Sequence, residues 1–124
     1  MAHTMLIVED DASLRGALCK KFIKEGFNVL SAEDGEEGLK TALEQHPDLI
    51  LLDILMPKMD GLTMLKKFRE SDKDKNTPVM LLSNLTDVQD ISEALLLGAK
   101  EYLVKSNWKL EDLVKKVGEK FNNR

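Results

Sequence analysis

Five short apolar segments alternate along the chain with longer segments whose apolar residues recur at helical spacing. The apolar segments lie at residues 5–9, 27–30, 48–53, 78–83 and 101–105. Continuous apolar runs of this length are typical of strands that are buried on both faces, as in parallel sheets. We therefore predict one parallel sheet of five strands with right-handed crossovers and helices on both faces.

The intervening segments predict five helices, which cover residues 11–25, 34–46, 59–70, 87–97 and 110–121. Gly26 and Gly98 follow the first and fourth of these segments, and glycine commonly ends helices. Asp11 is placed at the N-cap or in the first turn of the first helix, where a carboxylate is favourable. In the run 95–97, consecutive helical positions diverge by about 100°, so one leucine is expected to face outward.

Length and composition indicate one soluble globular domain that covers residues 1–124. The chain is 43% hydrophobic and 32% charged, and its net charge of −4 gives no electrostatic footprint for direct nucleic-acid binding. No apolar stretch approaches the roughly 20 residues that span a bilayer, and the N-terminus shows no secretory signal. The single cysteine, Cys19, fits a reducing compartment. We expect a cytoplasmic protein.

Acidic residues end two of the predicted buried strands, where packing alone would favour another apolar side chain. Asp53 follows the run 49–52, and the run 5–8 ends the same way in Glu9, Asp10 and Asp11. The carboxyl ends of parallel strands share one edge, where open α/β sheets bind ligands. The fourth and fifth strands bring Ser83 and Lys105 to the same edge.

These residue types predict a site that accepts a phosphoryl group. Crowded carboxylates repel one another, and a hard divalent cation with oxygen ligands relieves that repulsion. Mg²⁺ is expected because it accepts one or two carboxylates and favours phosphate oxygens. Lys105 adds a mobile positive charge and Ser83 a hydroxyl donor. Asp53 would be the nucleophile.

The same motifs resemble those of response-regulator receiver domains along essentially the whole chain. Segment 7–11 is similar to the family's acidic pocket, and segments 48–57 and 59–61 are similar to the phosphoacceptor segment and its continuation. Segment 98–105 resembles the part that carries the switch aromatic and the active-site lysine, and Ser83 occupies the switch position. The resemblance implies a flavodoxin-like (βα)5 three-layer sandwich with strand order 2-1-3-4-5.

The resemblance also implies a metal site. Asp10, Asp53 and the backbone carbonyl of Leu55 would bind Mg²⁺ directly, and Glu9 would act through water. Asp53 would take the phosphoryl group from a phosphohistidine of a histidine kinase or phosphotransfer protein.

A switch follows from the same resemblance. Lys105 and Ser83 would hold the phosphoryl oxygens, and Tyr102 would rotate inward as Ser83 moves. The face built from the last two helices and the last strand would then change the downstream protein that it binds. The sequence leaves open whether an effector domain has been removed and whether phosphorylation drives homodimerisation.

Several positions depart from the family pattern. Ser106 replaces the usual proline after Lys105, and a cis bond before a non-proline residue costs about 2.5–4 kcal/mol. We expect either a trans bond with a reshaped loop or a strained cis bond. Asn84 replaces the small residue that the family commonly has after the switch hydroxyl, and we expect it to narrow access to Asp53. The apolar Leu55 and Leu85 predict a long-lived phosphoryl group.

Two rival interpretations stay open. A pseudo-receiver would bind partners without phosphorylation, and Ser106 and Asn84 leave room for it. A phosphohydrolase with an aspartyl nucleophile would be an enzyme, whereas a receiver mediates only its own phosphotransfer and dephosphorylation. The haloacid-dehalogenase type needs a second acid two residues after the first, where this chain has Leu55.

Overall fold

The computed structural model describes residues 2–54, 56, 58–71, 76–83, 88–99, 101–104 and 109–122. Within these ranges, strands and helices alternate five times. The strands are β1 Thr4–Val8, β2 Asn28–Ala32, β3 Leu49–Asp53, β4 Val79–Ser83 and β5 Glu101–Val104. The helices are α1 Ala12–Lys24, α2 Gly35–Gln45, α3 Gly61–Arg69, α4 Val88–Leu96 and α5 Leu110–Asn122.

The sheet is parallel throughout, with strand order β2-β1-β3-β4-β5. This order confirms the predicted flavodoxin-like architecture. Val8 pairs with Leu52, and Asp53 pairs with Leu82. The carboxyl ends of β1, β3 and β4 therefore lie side by side, with β3 at the centre of the sheet.

Two apolar layers cover the faces of the sheet. Alternate residues of the central strands point to opposite layers, because successive side chains of a strand face opposite ways. Leu6, Ile50 and Leu81 pack with residues of α2, α3 and α4. Met5, Leu51 and Met80 pack with residues of α1 and α5. The central strands are thus buried on both faces, as their unbroken apolar runs predict.

Helix N-termini are fixed by aspartates that precede them. Asp11 is the N-cap of α1, and its Oδ1 accepts hydrogen bonds from the amides of Ser13 at 2.9 Å and Leu14 at 3.1 Å. Asp60 caps α3 in the same way by accepting from the amide of Thr63 at 2.8 Å. The cap at Asp60 explains why α3 begins at Gly61, two residues later than the sequence pattern predicts.

The leucine run at the end of α4 is divided between core and surface. Leu97 packs against the core, whereas the Leu96 side chain is 88% exposed. Leu95 is also exposed, at 43%, so two leucines of this run face outward where one was expected. No helix among the described residues has the length and apolar character needed to cross a membrane.

Candidate functional site

Three carboxylates from two adjacent strand ends meet at the carboxyl edge of the sheet. One oxygen from each of Glu9, Asp10 and Asp53 lies within 4.8 Å of the others. Glu9 is fully buried and Asp53 is 2% exposed, whereas Asp10 is open to solvent. The pairing of β1 with β3 accounts for this meeting, because it sets the residues after Val8 beside the end of β3. The structure therefore brings together the three acids that the sequence predicts.

The acidic loop after β1 is held by hydrogen bonds from three directions. The Glu9 amide donates to the carbonyl of Ala32 at 3.0 Å, beside β2. The Asp11 amide donates to Glu9 Oε2 at 3.1 Å. Arg15 of α1 donates from Nη1 to the carbonyl of Glu9 at 2.8 Å and more weakly to that of Asp10 at 3.4 Å. Arg15 is not among the predicted site residues, although an arginine one turn into the helix after an acidic loop is a signal that points to it.

The N-terminus of α3 packs directly on the end of β3. The Gly61 amide donates to the carbonyl of Ile54 at 2.7 Å. A Cβ atom at Gly61 would overlap the carbonyl oxygen of Asp53, so the backbone can approach this closely because the residue is glycine. The position of Asp53 is therefore tied to the start of α3.

The loop between β3 and α3 is also tied to α2. A Cβ atom at Gly35 would overlap the carbonyl oxygen of Met59. Lys58 has a φ of 66°, in the left-handed region that is unfavourable for residues with a Cβ. Its Nζ lies 3.6 Å from Oδ2 of the buried Asp34. These contacts fix the described residues of this loop against the start of α2.

The predicted switch residues lie on the next two strands. Ser83 ends β4 and pairs with Val104 of β5, so its backbone is at the same edge as Asp53. Tyr102 lies on β5 and is 43% exposed. Its role as a switch stays a prediction.

Other predicted features lie outside the described residues. They are the backbone carbonyl of Leu55, the ammonium of Lys105, the hydroxyl of Ser83, and the departures at Asn84, Leu85 and Ser106. Their roles stay predictions.

The donor set of the three acids suits a hard divalent cation. All the ligands are carboxylate oxygens, and one of the three side chains, Asp10, faces solvent, which gives an ion access. The described residues contain a second acidic group, formed by Glu33, Asp34 and Glu37. In this group the two glutamates are exposed and only Asp34 is buried. There Asp34 already caps α2 through the amide of Glu37 at 2.8 Å.

Comparison with known proteins gives consistent results. The family model for the response regulator receiver domain matches residues 5–118. The transcriptional regulatory protein PrrA of Mycobacterium tuberculosis is 40% identical over 113 residues, which are 91% of this chain and 47% of that protein. The probable transcriptional regulator ycf27 of Porphyridium aerugineum is 40% identical over 101 residues, which are 82% of this chain and 41% of that protein. The chain thus spans less than half the length of these curated relatives.

Solved structures share the fold over nearly the whole chain. The chemotaxis response regulator CheY4 of Vibrio cholerae superposes with a TM-score of 0.88 at 30% identity, covering 96% of this chain and 98% of that one. A putative response regulator of Chloroflexus aurantiacus gives a TM-score of 0.87 at 31% identity and covers 100% of both chains.

Proposed function

This chain belongs to the response regulator receiver domain family, and from that membership we propose that it accepts a phosphoryl group on Asp53. The observation that carries the proposal is the convergence of the Glu9, Asp10 and Asp53 carboxylates within 4.8 Å at the end of the central strand. The Asp53 side chain is only 2% exposed, and burying a carboxylate costs free energy because the charge loses its hydration. A carboxylate at the end of a buried strand is therefore expected to serve a function. The chain would therefore be a phosphoacceptor in signal transduction rather than a turnover enzyme.

The three acids fit Mg²⁺ as the ion that the reaction requires. Asp10 and Asp53 would bind it directly together with the carbonyl of Leu55, and Glu9 would bind through water. When bound, Mg²⁺ would neutralise negative charge on the transferring phosphoryl group.

Asp53 acts as the nucleophile in this proposal. A carboxylate oxygen of Asp53 attacks the phosphorus of a phosphohistidine on a histidine kinase or phosphotransfer protein. The P–N bond breaks, its electron pair stays on the imidazole nitrogen, and an acyl phosphate remains on Asp53. Ser83 and Lys105 would hold the phosphoryl oxygens. Ser83 ends β4 at the same edge of the sheet as Asp53, and Lys105 follows β5 in the sequence.

The output would be a change in the surface formed by α4, β5 and α5. Apolar side chains are already exposed there, with Val88 at 65%, Leu96 at 88% and Tyr102 at 43%. Inward rotation of Tyr102 would change this surface and hence the downstream protein that it binds. Relatives include a DNA-binding dual master transcriptional regulator, RpaA of Synechocystis, so an effector segment in the same polypeptide is one such target.

Intact-mass measurement tests the proposal. The protein is incubated with acetyl phosphate, with Mg²⁺ or with a chelator. We expect a single added phosphoryl group that requires Mg²⁺ and is absent from Asp53→Asn. Asp112→Asn, which changes an exposed acid in the first turn of α5, is the matched control and should be phosphorylated like the wild type.

Other outcomes would favour the rival functions. Continuous release of inorganic phosphate without any phosphorylated protein, even after rapid quenching, would indicate a phosphohydrolase. Absence of phosphorylation by acetyl phosphate and by a panel of phosphorylated histidine kinases would indicate a pseudo-receiver.

A further inference from the structure

Arg15 contacts the backbone of the two acids that precede α1. Its Nη1 donates to the carbonyl oxygens of Glu9 at 2.8 Å and Asp10 at 3.4 Å. Its side chain is only 20% exposed, and Nη2 lies 3.8 Å from a carboxylate oxygen of Glu33. The guanidinium group therefore sits between the loop after β1 and the loop after β2, on the backbone side of the acidic loop.

We propose, on the basis of the function proposed above, that Arg15 is a positioning residue that directs the Glu9 and Asp10 carboxylates toward Asp53. Mutual repulsion among the three acids tends to push the solvent-facing Asp10 away from the buried pair. Hydrogen bonds from a charged donor to the carbonyls of Glu9 and Asp10 resist this displacement, since charge-assisted bonds are stronger than neutral ones. Arg15 thereby keeps the cation site assembled before the ion arrives.

The charge of Arg15 and its geometry act on cation binding in opposite directions. A nearby guanidinium repels a divalent ion, so simple removal of positive charge would strengthen Mg²⁺ binding. Loss of the loop geometry would weaken binding, as loss of groups that orient metal ligands generally does. Because Nη1 bonds carbonyls rather than carboxylates, and Glu33 offsets part of the charge, the geometric effect dominates.

Arg69 provides a matched control. It lies at the end of α3 opposite Gly61 and Asp53, and its Nε donates to the carbonyl of Leu97 at 2.8 Å. Its Nη2 donates to the carbonyl of Gly98 at 3.4 Å. Arg69→Met therefore removes the same kind of contact, an arginine bonded to two successive carbonyls, from a place remote from the acids.

Titration calorimetry with Mg²⁺ on wild type, Arg15→Met, Arg15→Lys and Arg69→Met measures the effect. We expect the Kd of Arg15→Met to rise by about tenfold or more. Arg15→Lys keeps the charge but loses the planar fork, so its Kd should rise as well. Arg69→Met should bind Mg²⁺ like the wild type. Binding by Arg15→Met that equals or exceeds wild-type affinity would overturn the proposal.

A metal-free measurement separates this inference from the function on which it rests. NMR hydrogen exchange of the Asp11 amide reports on the Glu9 carboxylate, which accepts its hydrogen bond. We expect faster exchange at Asp11 in both Arg15 variants and unchanged exchange in Arg69→Met. If the wild type bound no Mg²⁺, the proposed function would fail, and exchange at Asp11 would still decide the role of Arg15. Exchange that rises equally throughout the molecule would indicate a merely structural residue and overturn the proposal.

Discussion

Glu101 shows how charged side chains away from the acidic site hold the molecule together. It lies at the start of β5, and its two carboxylate oxygens pair with α5, one with Lys116 Nζ at 3.2 Å and the other with Lys120 Nζ at 2.7 Å. The hydrogen bond from Lys120, with help from Lys116, holds the pKa of the Glu101 carboxyl below its ordinary value. These pairs tie the edge strand to the last helix.

The pKa of Glu101 predicts a pH-dependent contribution to stability. A lowered folded-state pKa stabilises the protein above the unfolded value of about 4.3, and this contribution is lost as pH falls through the folded value. Glu101→Gln should therefore lower the free energy of unfolding at pH 7 by up to about 1 kcal/mol, since partly exposed pairs are screened. Urea titrations from pH 7 down to pH 3 measure this difference, which should shrink below about pH 4.3.

Glu119→Gln is the control for this prediction. Glu119 is an exposed acid on α5, the helix whose lysines pair with Glu101. A loss that persists undiminished at pH 3 would show that Glu101 acts through packing rather than through charge.

The roles of some residues can be predicted from the sequence, and the roles of others cannot. Glu9, Asp10 and Asp53 could be predicted because acids interrupt apolar runs at strand ends, and Asp11 because it precedes a helix. Arg15 acts on backbone carbonyls, so its residue type does not reveal its partners, and only its place one turn into the helix after the acidic loop is a signal. Lys58 has a left-handed backbone conformation, which is unfavourable for a lysine. The residue type therefore could not predict this conformation.

Two glycines let the backbone pack closely around the loop after β3, one at the start of α2 and one at the start of α3. Gly35 meets the carbonyl of Met59, and Gly61 meets the carbonyl of Asp53. Substitution at either glycine must displace backbone, which is less able to yield than a flexible side chain. The geometry around Asp53 therefore depends on α2 as well as on its own strand.

Gly35→Ala should destabilise the protein and disturb the site. The added Cβ would displace Met59 and the loop that leads from Asp53 to α3. We expect a loss of about 1–3 kcal/mol, typical of overpacking, together with slower phosphorylation by acetyl phosphate. Denaturant unfolding and the rate of mass increase measure the two effects.

Gly16→Ala is the matched control, because Gly16 lies within α1 and a Cβ there has nothing within 4 Å. It should stabilise the protein by about 0.5–1 kcal/mol through helix propensity. A wild-type rate and wild-type stability in Gly35→Ala would contradict the close contact with Met59.

Most secondary-structure elements could be predicted from the sequence, and the errors have physical causes. The central strands were located within a residue because both faces are buried. The edge strand β2 runs Asn28–Ala32 rather than 27–30, since its exposed Ser31 breaks the apolar pattern. Strand order came from the resemblance, because periodicity reveals elements but not their neighbours in a sheet.

The proposed cation site would link metal binding to the free energy of unfolding of the protein. Three carboxylates within 4.8 Å repel one another when no cation is bound. Asp53→Asn should therefore raise the free energy of unfolding of the metal-free protein by about 1 kcal/mol. A ligand that binds the native state at ten times its Kd adds about 1.4 kcal/mol.

Thermal unfolding with and without Mg²⁺ checks this linkage. The wild type should melt at a higher temperature in Mg²⁺, whereas Asp53→Asn should gain little. Ca²⁺-free and Mg²⁺-free buffer with added chelator provides the baseline. Asp112→Asn, which changes an exposed acid outside the three-acid group, should respond like the wild type. An equal gain in both proteins would place the stabilising ion elsewhere.

Asp53 is attached to β3, which is the middle strand of the sheet and is buried along its full length. Amides of such a strand open only with the largest unfolding events, so they should be among the last to exchange with solvent. The proposed phosphoacceptor is thus attached to the strand that we expect to be the most resistant to local opening. If Asp53 is phosphorylated as proposed, β3 itself would move little. The change in structure would then have to occur in α4, β5 and α5, at the periphery of the sheet.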